Sequence, residues 1–346
     1  MKVFLFEIKK LFSLKPVLLL LAAIALQIGL TFLPVQRSHD FSLSIYKIYM
    51  LRLQGEFTEE KYSEIKALYD SYSELLASHE QIELDYQNGK ITLEEFSDHN
   101  LKYHKAFAEH KTVEYILQKS DYYSDIGGEC VYFYDTDWED FIAGTKFDFI
   151  VAFSVIFLII SVFCTEYQTN SRTSVFTSSN GQGKLCAQKL ILSGAAGLVV
   201  SILLFFMRFG AFAAFHDGAD NLIRNIIGYS QFGEITIAQY CINNILVKSA
   251  AWAVGALFVC ALSNITENAL FTAFLSFVGI VCLSMFGGLS TIPWVYVFLG
   301  GLLSRNYPPD ISPLWLIFSF MIKSAVYSEI SLKLWCGPKR YVRQPF

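Results

Sequence analysis

The seven cysteines of this chain form no CxxC pair, so neither a disulfide framework nor a cysteine zinc site is indicated. A zinc-protease helix is missing too, because His79-Glu80 meets Glu at position 83, where the second His would stand. His99, His104 and His110 are five and six residues apart and cannot share the one helical face that metal ligands need. Glu95 and His99 do share a face, at the spacing of an ordinary exposed contact. No GxSxG elbow or other nucleophile motif is present, which leaves hydrolysis without machinery. Gly181-Gln182-Gly183-Lys184 has the look of the end of a phosphate loop. Leu185, however, replaces the Ser or Thr that would bind magnesium, and Ser178 replaces the first Gly. The chain is expected to be no enzyme, to hold no metal or cofactor of its own, and to have no nucleic-acid partner. A cleaved signal peptide is disfavoured, since Pro34-Val35-Gln36 offers no small-residue cleavage site.

Apolar length is what the chain does have. Hydrophobic residues make up 53% of it, mean hydropathy is +0.40, and 31 residues are Phe. Soluble domains seldom carry repeated unbroken apolar runs. In hydrocarbon, backbone groups must pair within their own segment, so such runs should be helices. The spans are read at Pro16 to Leu33, Phe147 to Phe163, Leu190 to Phe215, about Ile245 to Leu262, one within Ala269 to Ser304, and Leu314 to about Ile330. Gly287-Gly288 and Pro293 break the fifth stretch, which fits one span followed by a short re-entrant or interfacial element at 291–304. Ahead of the first span, Phe4, Ile8, Leu11 and Phe12 recur at helical spacing among four lysines, an interfacial amphipathic helix.

Charge is sorted along the chain. Residues 35–146 hold 22 acids against 11 bases, a net of −11, and the remainder holds 16 bases and 9 acids, a net of +7. The amino end, the 165–189 loop and the carboxyl end carry 11 bases, whereas the alternate loops 216–244 and 305–311 carry only Arg224 and Arg305. Lys and Arg stay on the cytoplasmic side. The expected architecture is therefore an all-α polytopic membrane protein of about six helices, with both termini inside. Residues 1–34 form the amphipathic helix and first span, 35–146 an extracellular helical domain, and 147–346 the remaining spans.

Within the acidic segment, Ile65, Tyr69, Tyr72, Leu76, His79 and Ile82 recur at three- and four-residue steps. Phe96, Tyr103, Phe107, His110, Val113 and Leu117 do the same after the Asn88-Gly89 break. Thr92 and Glu95 spell a capping box. Two antiparallel helices sharing an apolar seam are predicted, folding as a unit of their own that is removable at 58–119. Trp138 and Phe141 in the return segment are expected in the interfacial belt.

Charges inside spans are costly, on the order of 3 kcal/mol or more each. Asp148, Arg208 and Lys248 fall at similar depth, so Asp148 is predicted to pair with Arg208 or Lys248, with snorkelling of both cations to the headgroups as the rival reading. Lys323, roughly 14 Å into its helix at about 1.5 Å per residue, is predicted to face a cavity or partner helix.

The 165–189 segment, TEYQTNSRTSVFTSSNGQGKLCAQK, resembles the coupling segment of type-2 ATP-binding-cassette exporter permeases. Glu166 matches the Glu that opens the family's first cytoplasmic loop, Gly181 and Lys184 its Gly-basic step, and Lys189 the Lys entering the next helix, with Arg172 between them. Asn170 and Gln182 depart from the family's usual Gly and Arg. The resemblance covers the chain's whole plan and is nearest to Firmicute members with a helical insert after span one. It implies a permease subunit in a bacterial plasma membrane, docked on a separate ATPase subunit that supplies ATP and magnesium, and paired with a second permease subunit. The acidic domain would attract a cationic peptide, so export of such a peptide, or immunity to it, is the expected role. A non-transporting sensor or scaffold with an acidic ectodomain is the alternative.

Overall fold

The computed structural model describes residues 7–9, 13–31, 39–143, 148–169, 182–289, 301–303 and 312–336. In chain order the elements are α1 (Leu14–Thr31), α2 (Leu43–Leu53), β1 (Gly55–Glu56), α3 (Glu59–Gln87), α4 (Leu93–Ile126), β2 (Val131–Tyr132) and α5 (Thr136–Ala143). Then follow α6 (Phe149–Gln168), α7 (Gln182–Ala213), α8 (Ile237–Thr266), α9 (Ala269–Leu289) and α10 (Pro313–Cys336). Five of these, α1, α6, α7, α8 and α10, are long and apolar enough to cross a membrane, and α9 adds a shorter apolar stretch, Ala269–Met285. The pattern is that of an all-α polytopic membrane protein. Most of the amino-terminal amphipathic segment, Arg172, Gly181, the last three carboxyl-terminal bases (Lys339, Arg340 and Arg343) and all of 291–304 except a 3₁₀ turn at Gly301–Leu303 lie outside the described residues.

Local chemistry sets the helix ends. Asp148 caps α6, its Oδ1 accepting from the amides of Ile150 and Val151 at 3.0 and 3.1 Å. Asn268 caps α9 in the same way through Leu270 and Phe271. Glu267 just before it adopts a positive φ of 55°, a tight reversal between α8 and α9. Pro313 opens α10, where a missing amide costs nothing.

The chain divides into two compact units. The first comprises residues 1–34, 142–217 and 239–346 and contains the apolar helices. In it α7 packs against α1, α6 and α10, and α6 also against α1 and α9. Its core joins Val155, Ile159, Phe163, Leu204, Trp252, Ala256 and Trp335. The contact of α7 with α8 is backbone-close at Gly197, where an added Cβ would meet the Ala256 Cβ at 2.7 Å and the Trp252 carbonyl oxygen at 3.1 Å. The outer faces of α1 and α10 expose Leu18, Leu21, Leu26, Ile317, Phe318 and Met321, an apolar covering suited to lipid.

The second unit comprises residues 35–141 and 218–238. Its frame is the antiparallel pair α3 and α4, with the predicted capping box in place: Glu95 N donates to Thr92 Oγ1, and Thr92 N to Glu95 Oε2. Tyr46, Met50 and Leu53 of α2 pack with Ile65, Tyr72, Ala106, Val113, Ile116 and Tyr123 in one core. β1 and β2 pair antiparallel, Gly55 opposite Tyr132. Phe107 was placed in the seam but is exposed, because α4 turns its Ala106–Val113–Ile116–Tyr123 face inward, shifted by about one residue. Trp138 is fully buried rather than interfacial. Residues 218–238, read as part of a plain loop, belong to this unit: Ile223 and Ile226 are fully buried, and the Arg224 and Asn225 carbonyls accept from the hydroxyls of Tyr122 and Tyr123, both at 2.9 Å.

Candidate functional site

Two buried charge clusters within the apolar unit hold most of the residues that the sequence singled out. The first surrounds Lys189. The 165–189 segment is not a loop throughout: Thr165–Gln168 continue α6, and α7 already begins at Gln182. That places Glu166 and Lys189 on adjoining helices. Lys189 is fully buried, donates to the Glu166 carboxylate and to the Val162 carbonyl at 2.6 Å, and lies 3.8 Å from Glu7. Its ammonium also sits over the rings of Phe163 and Trp335, at 5.2 and 5.5 Å from their centroids. Tyr167 extends the cluster, its ring edge-on to Trp335 and its hydroxyl donating to Asn264 of α8 at 3.0 Å. Glu166, assigned by the sequence to a cytoplasmic loop, is buried at 8% exposure, where it supplies the counter-charge without which the interior Lys189 ammonium would be stranded. Lys184 is exposed on the first turns of α7.

The second cluster brings together α1, α6, α7 and α8. Asp148 Oδ2 accepts from the Gln27 amide at 2.6 Å and lies 3.6 Å from Arg208 Nη1, so the predicted Asp148–Arg208 pair is formed. Lys248 is buried, with Arg208 and Asp148 the ionised side chains nearest in effect. Lys323 lies partly buried about 15 Å along α10 at roughly 1.5 Å per residue. Comparisons with protein-family models, curated proteins and solved structures find no match to the chain.

The second unit has a buried pair that the sequence reading passed over. Lys119 and Asp135 are both fully buried, Nζ to Oδ2 at 2.6 Å. The Tyr46 hydroxyl donates to Asp135 Oδ1 at 2.7 Å and accepts from Lys119 at 3.1 Å. Burial pushes the Lys119 ammonium below its ordinary value, opposed by the attraction of Asp135. The signal was available: Lys119 falls three residues after Ile116 and four before Tyr123, on the buried stripe of α4. Gln27, the one amide in an apolar run, carried a similar signal.

Further out on the hairpin, His79 stacks on Tyr103 at 3.4 Å and on His99 at 5.6 Å between centroids. His110 instead meets Ser73 Oγ at 3.1 Å. Among the described residues no group of three or more His, Cys, Asp or Glu is placed to hold a metal ion.

Proposed function

We propose that this chain is the permease subunit of an ATP-driven exporter, working as one of two permease subunits on a pair of separate ATPase subunits in a bacterial plasma membrane. The observation that carries the reading is the Lys189 cluster. The segment that resembles the family's ATPase-contacting element is anchored at one end by Glu166 of α6 and at the other by Lys189 of α7. The same ammonium touches α10 through Trp335 and the amino-terminal segment through Glu7. A push delivered on that segment would move four elements together, a rigid-body mode of coupling. In this role Glu166 and Lys189 transmit force, while Arg172, Gly181 and Lys184 remain assigned to the ATPase contact.

The proposed cargo is a cationic peptide, exported or countered as a means of immunity. Support comes from the second unit, which holds 24 acids and 11 bases, a net of −13. Such a surface raises the local concentration of a cation, with a range of about 8 Å at physiological salt.

Purification from native membranes in mild detergent tests the reading. It expects an ATPase chain to co-purify, and Glu166→Ala to lower peptide-stimulated ATP hydrolysis in liposomes with the complex intact. A chain that purifies alone and leaves peptide export unchanged when deleted would instead be the sensor or scaffold.

A further inference from the structure

α2 has two apolar faces, and only one of them is covered. Its inner face, Tyr46, Met50 and Leu53, is packed into the polar unit's core. On the other face Leu43, Ile48 and Leu51 stand 39%, 67% and 61% exposed, with exposed Ser44, Lys47 and Arg52 interleaved. A helix that is apolar on all sides needs apolar surroundings on all sides. No acid occurs between residues 43 and 53, in a unit that holds 24 acids against 11 bases. Acids that meet this helix or its flank are engaged within the unit: Asp135 by Lys119, Asp140 by His39 at 3.6 Å, and Glu64 by Arg52. Lys47 has the face of the Tyr134 ring at 5.4 Å and no ion pair among the described residues. Residues 32–42 join α1 to α2, and residues 144–148 join α5 to α6. α2 is therefore the helix of the polar unit nearest in sequence to the first span. Through His39 and Tyr46 it is held against residues 135–140, the stretch that leads into the next span.

We infer that the exposed face of α2 lies on the lipid surface, with Ile48 and Leu51 set among the upper acyl chains and Lys47 paired with lipid phosphate. Bases interleaved with aliphatic side chains suit that boundary, because the long stem lies in the apolar layer while the ammonium reaches the headgroups. A second copy of the polar unit is a poorer cover, since two surfaces of net −13 repel each other. The interfacial anchoring expected of Trp138 falls to α2, because Trp138 is buried. Nothing in this depends on export: it requires only that the apolar helices span a bilayer, and it holds for either side of it.

The full chain, with the exposed Cys282 and Cys336 changed to Ser, is spin-labelled through Ile48→Cys or Leu51→Cys. It is then reconstituted in nanodiscs of phosphatidylcholine and phosphatidylglycerol. Leu101→Cys, at a position 73% exposed on α4, serves as the aqueous reference. Collision of the label with oxygen, which concentrates in lipid, is compared with collision with a neutral nickel chelate, which stays in water. The oxygen-to-nickel ratio should be severalfold higher at positions 48 and 51 than at 101, and Lys47→Glu should lower it at 51. Either labelled position suffices, so a variant that fails to fold leaves the other to decide. A ratio matching that at 101 places the face in water and overturns the inference. Low collision with both reagents means that a protein surface, such as a second copy, covers the helix, and overturns it as well. A ratio unmoved by Lys47→Glu overturns the pairing with phosphate.

Discussion

Lys189 shows what a single interior charge demands of its neighbours. One ammonium is matched by Glu166, by the Val162 carbonyl and, at longer range, by Glu7. Breaking a buried pair by removing one partner costs about 3–5 kcal/mol, because the other charge is stranded. Lys189→Met should therefore destabilise the apolar unit by roughly that amount, and Glu166→Gln combined with Lys189→Met should recover part of the loss. Detergent-resistance melting of the three variants checks this. At the hairpin, His99 is held below its ordinary value of 6.5 by burial first and by His79 second. The unfolded chain then takes up the proton more readily than the folded one. Stability is thus complete above the ordinary His range and declines as pH falls below about 6.5. The protection factors of the amides around residues 75–103, which discount the slower intrinsic exchange in acid, should fall on acidification, and His99→Gln should remove the part due to that ring. Single residues were legible where their cost was plain: Asp148, charged beside an apolar run, was open to pairing with Arg208 or Lys248 or to standing apart from both as they snorkelled, and it meets Arg208. Lys119 was not legible, because among the many charges of a polar segment one lysine on the inner stripe of a helix looks like its exposed fellows.

Elements were easier to read than their faces. Helices announced themselves through apolar length or through the Thr92–Glu95 box, and the observed bounds run a few residues beyond the predicted ones because polar turns extend α7 and α8 past their apolar cores. The phase of α4 was misjudged at Phe107, since a helix with partners on more than one side offers no single stripe, and periodicity alone does not choose between adjacent positions. Two element-scale outcomes follow from contacts. Thr92→Ala removes the acceptor for the Glu95 amide and should lower the stability of the hairpin by about 1 kcal/mol, read from its exchange protection. Gly197→Ala drives a methyl to 2.7 Å from the Ala256 Cβ and 3.1 Å from a backbone carbonyl. Overpacking of this kind costs typically about 1–3 kcal/mol, and Ala256→Gly should relieve part of it, a coupling that a thermodynamic double-mutant cycle measures directly.

At the scale of the whole molecule, the division into an apolar and a polar unit follows from the charge sorting, whereas the membership of residues 218–238 does not. Nothing in that segment's composition announces its attachment to residues over a hundred positions earlier; the need of the Tyr122 and Tyr123 hydroxyls for acceptors explains it once the fold is known. This changes what can be cut away. Excising residues 58–119 removes Lys119, strips the buried Asp135 carboxylate of its counter-ion and takes away Ile65, Tyr72, Ala106, Val113 and Ile116 of the polar unit's core. That deletion is expected to unfold what remains of the polar unit. A shorter cut is tolerable. Ser73 stands opposite His110 across the hairpin, so the chain can be rejoined a turn further out, between residues 76 and 105. Deleting 77–104 and closing with a short glycine-containing turn spares Ile65, Tyr72, Ala106, Val113 and Lys119. The long deletion should abolish folding of the polar unit, seen as rapid proteolysis between residues 39 and 141. The short one should leave it resistant, removing only the acidic outer hairpin with its stacked His79, His99 and Tyr103. If the short deletion also keeps full peptide protection or export, the outer acidity serves solubility and the cationic cargo must be recognised elsewhere. If protection falls while the unit stays folded, capture resides in the outer turns of α3 and α4.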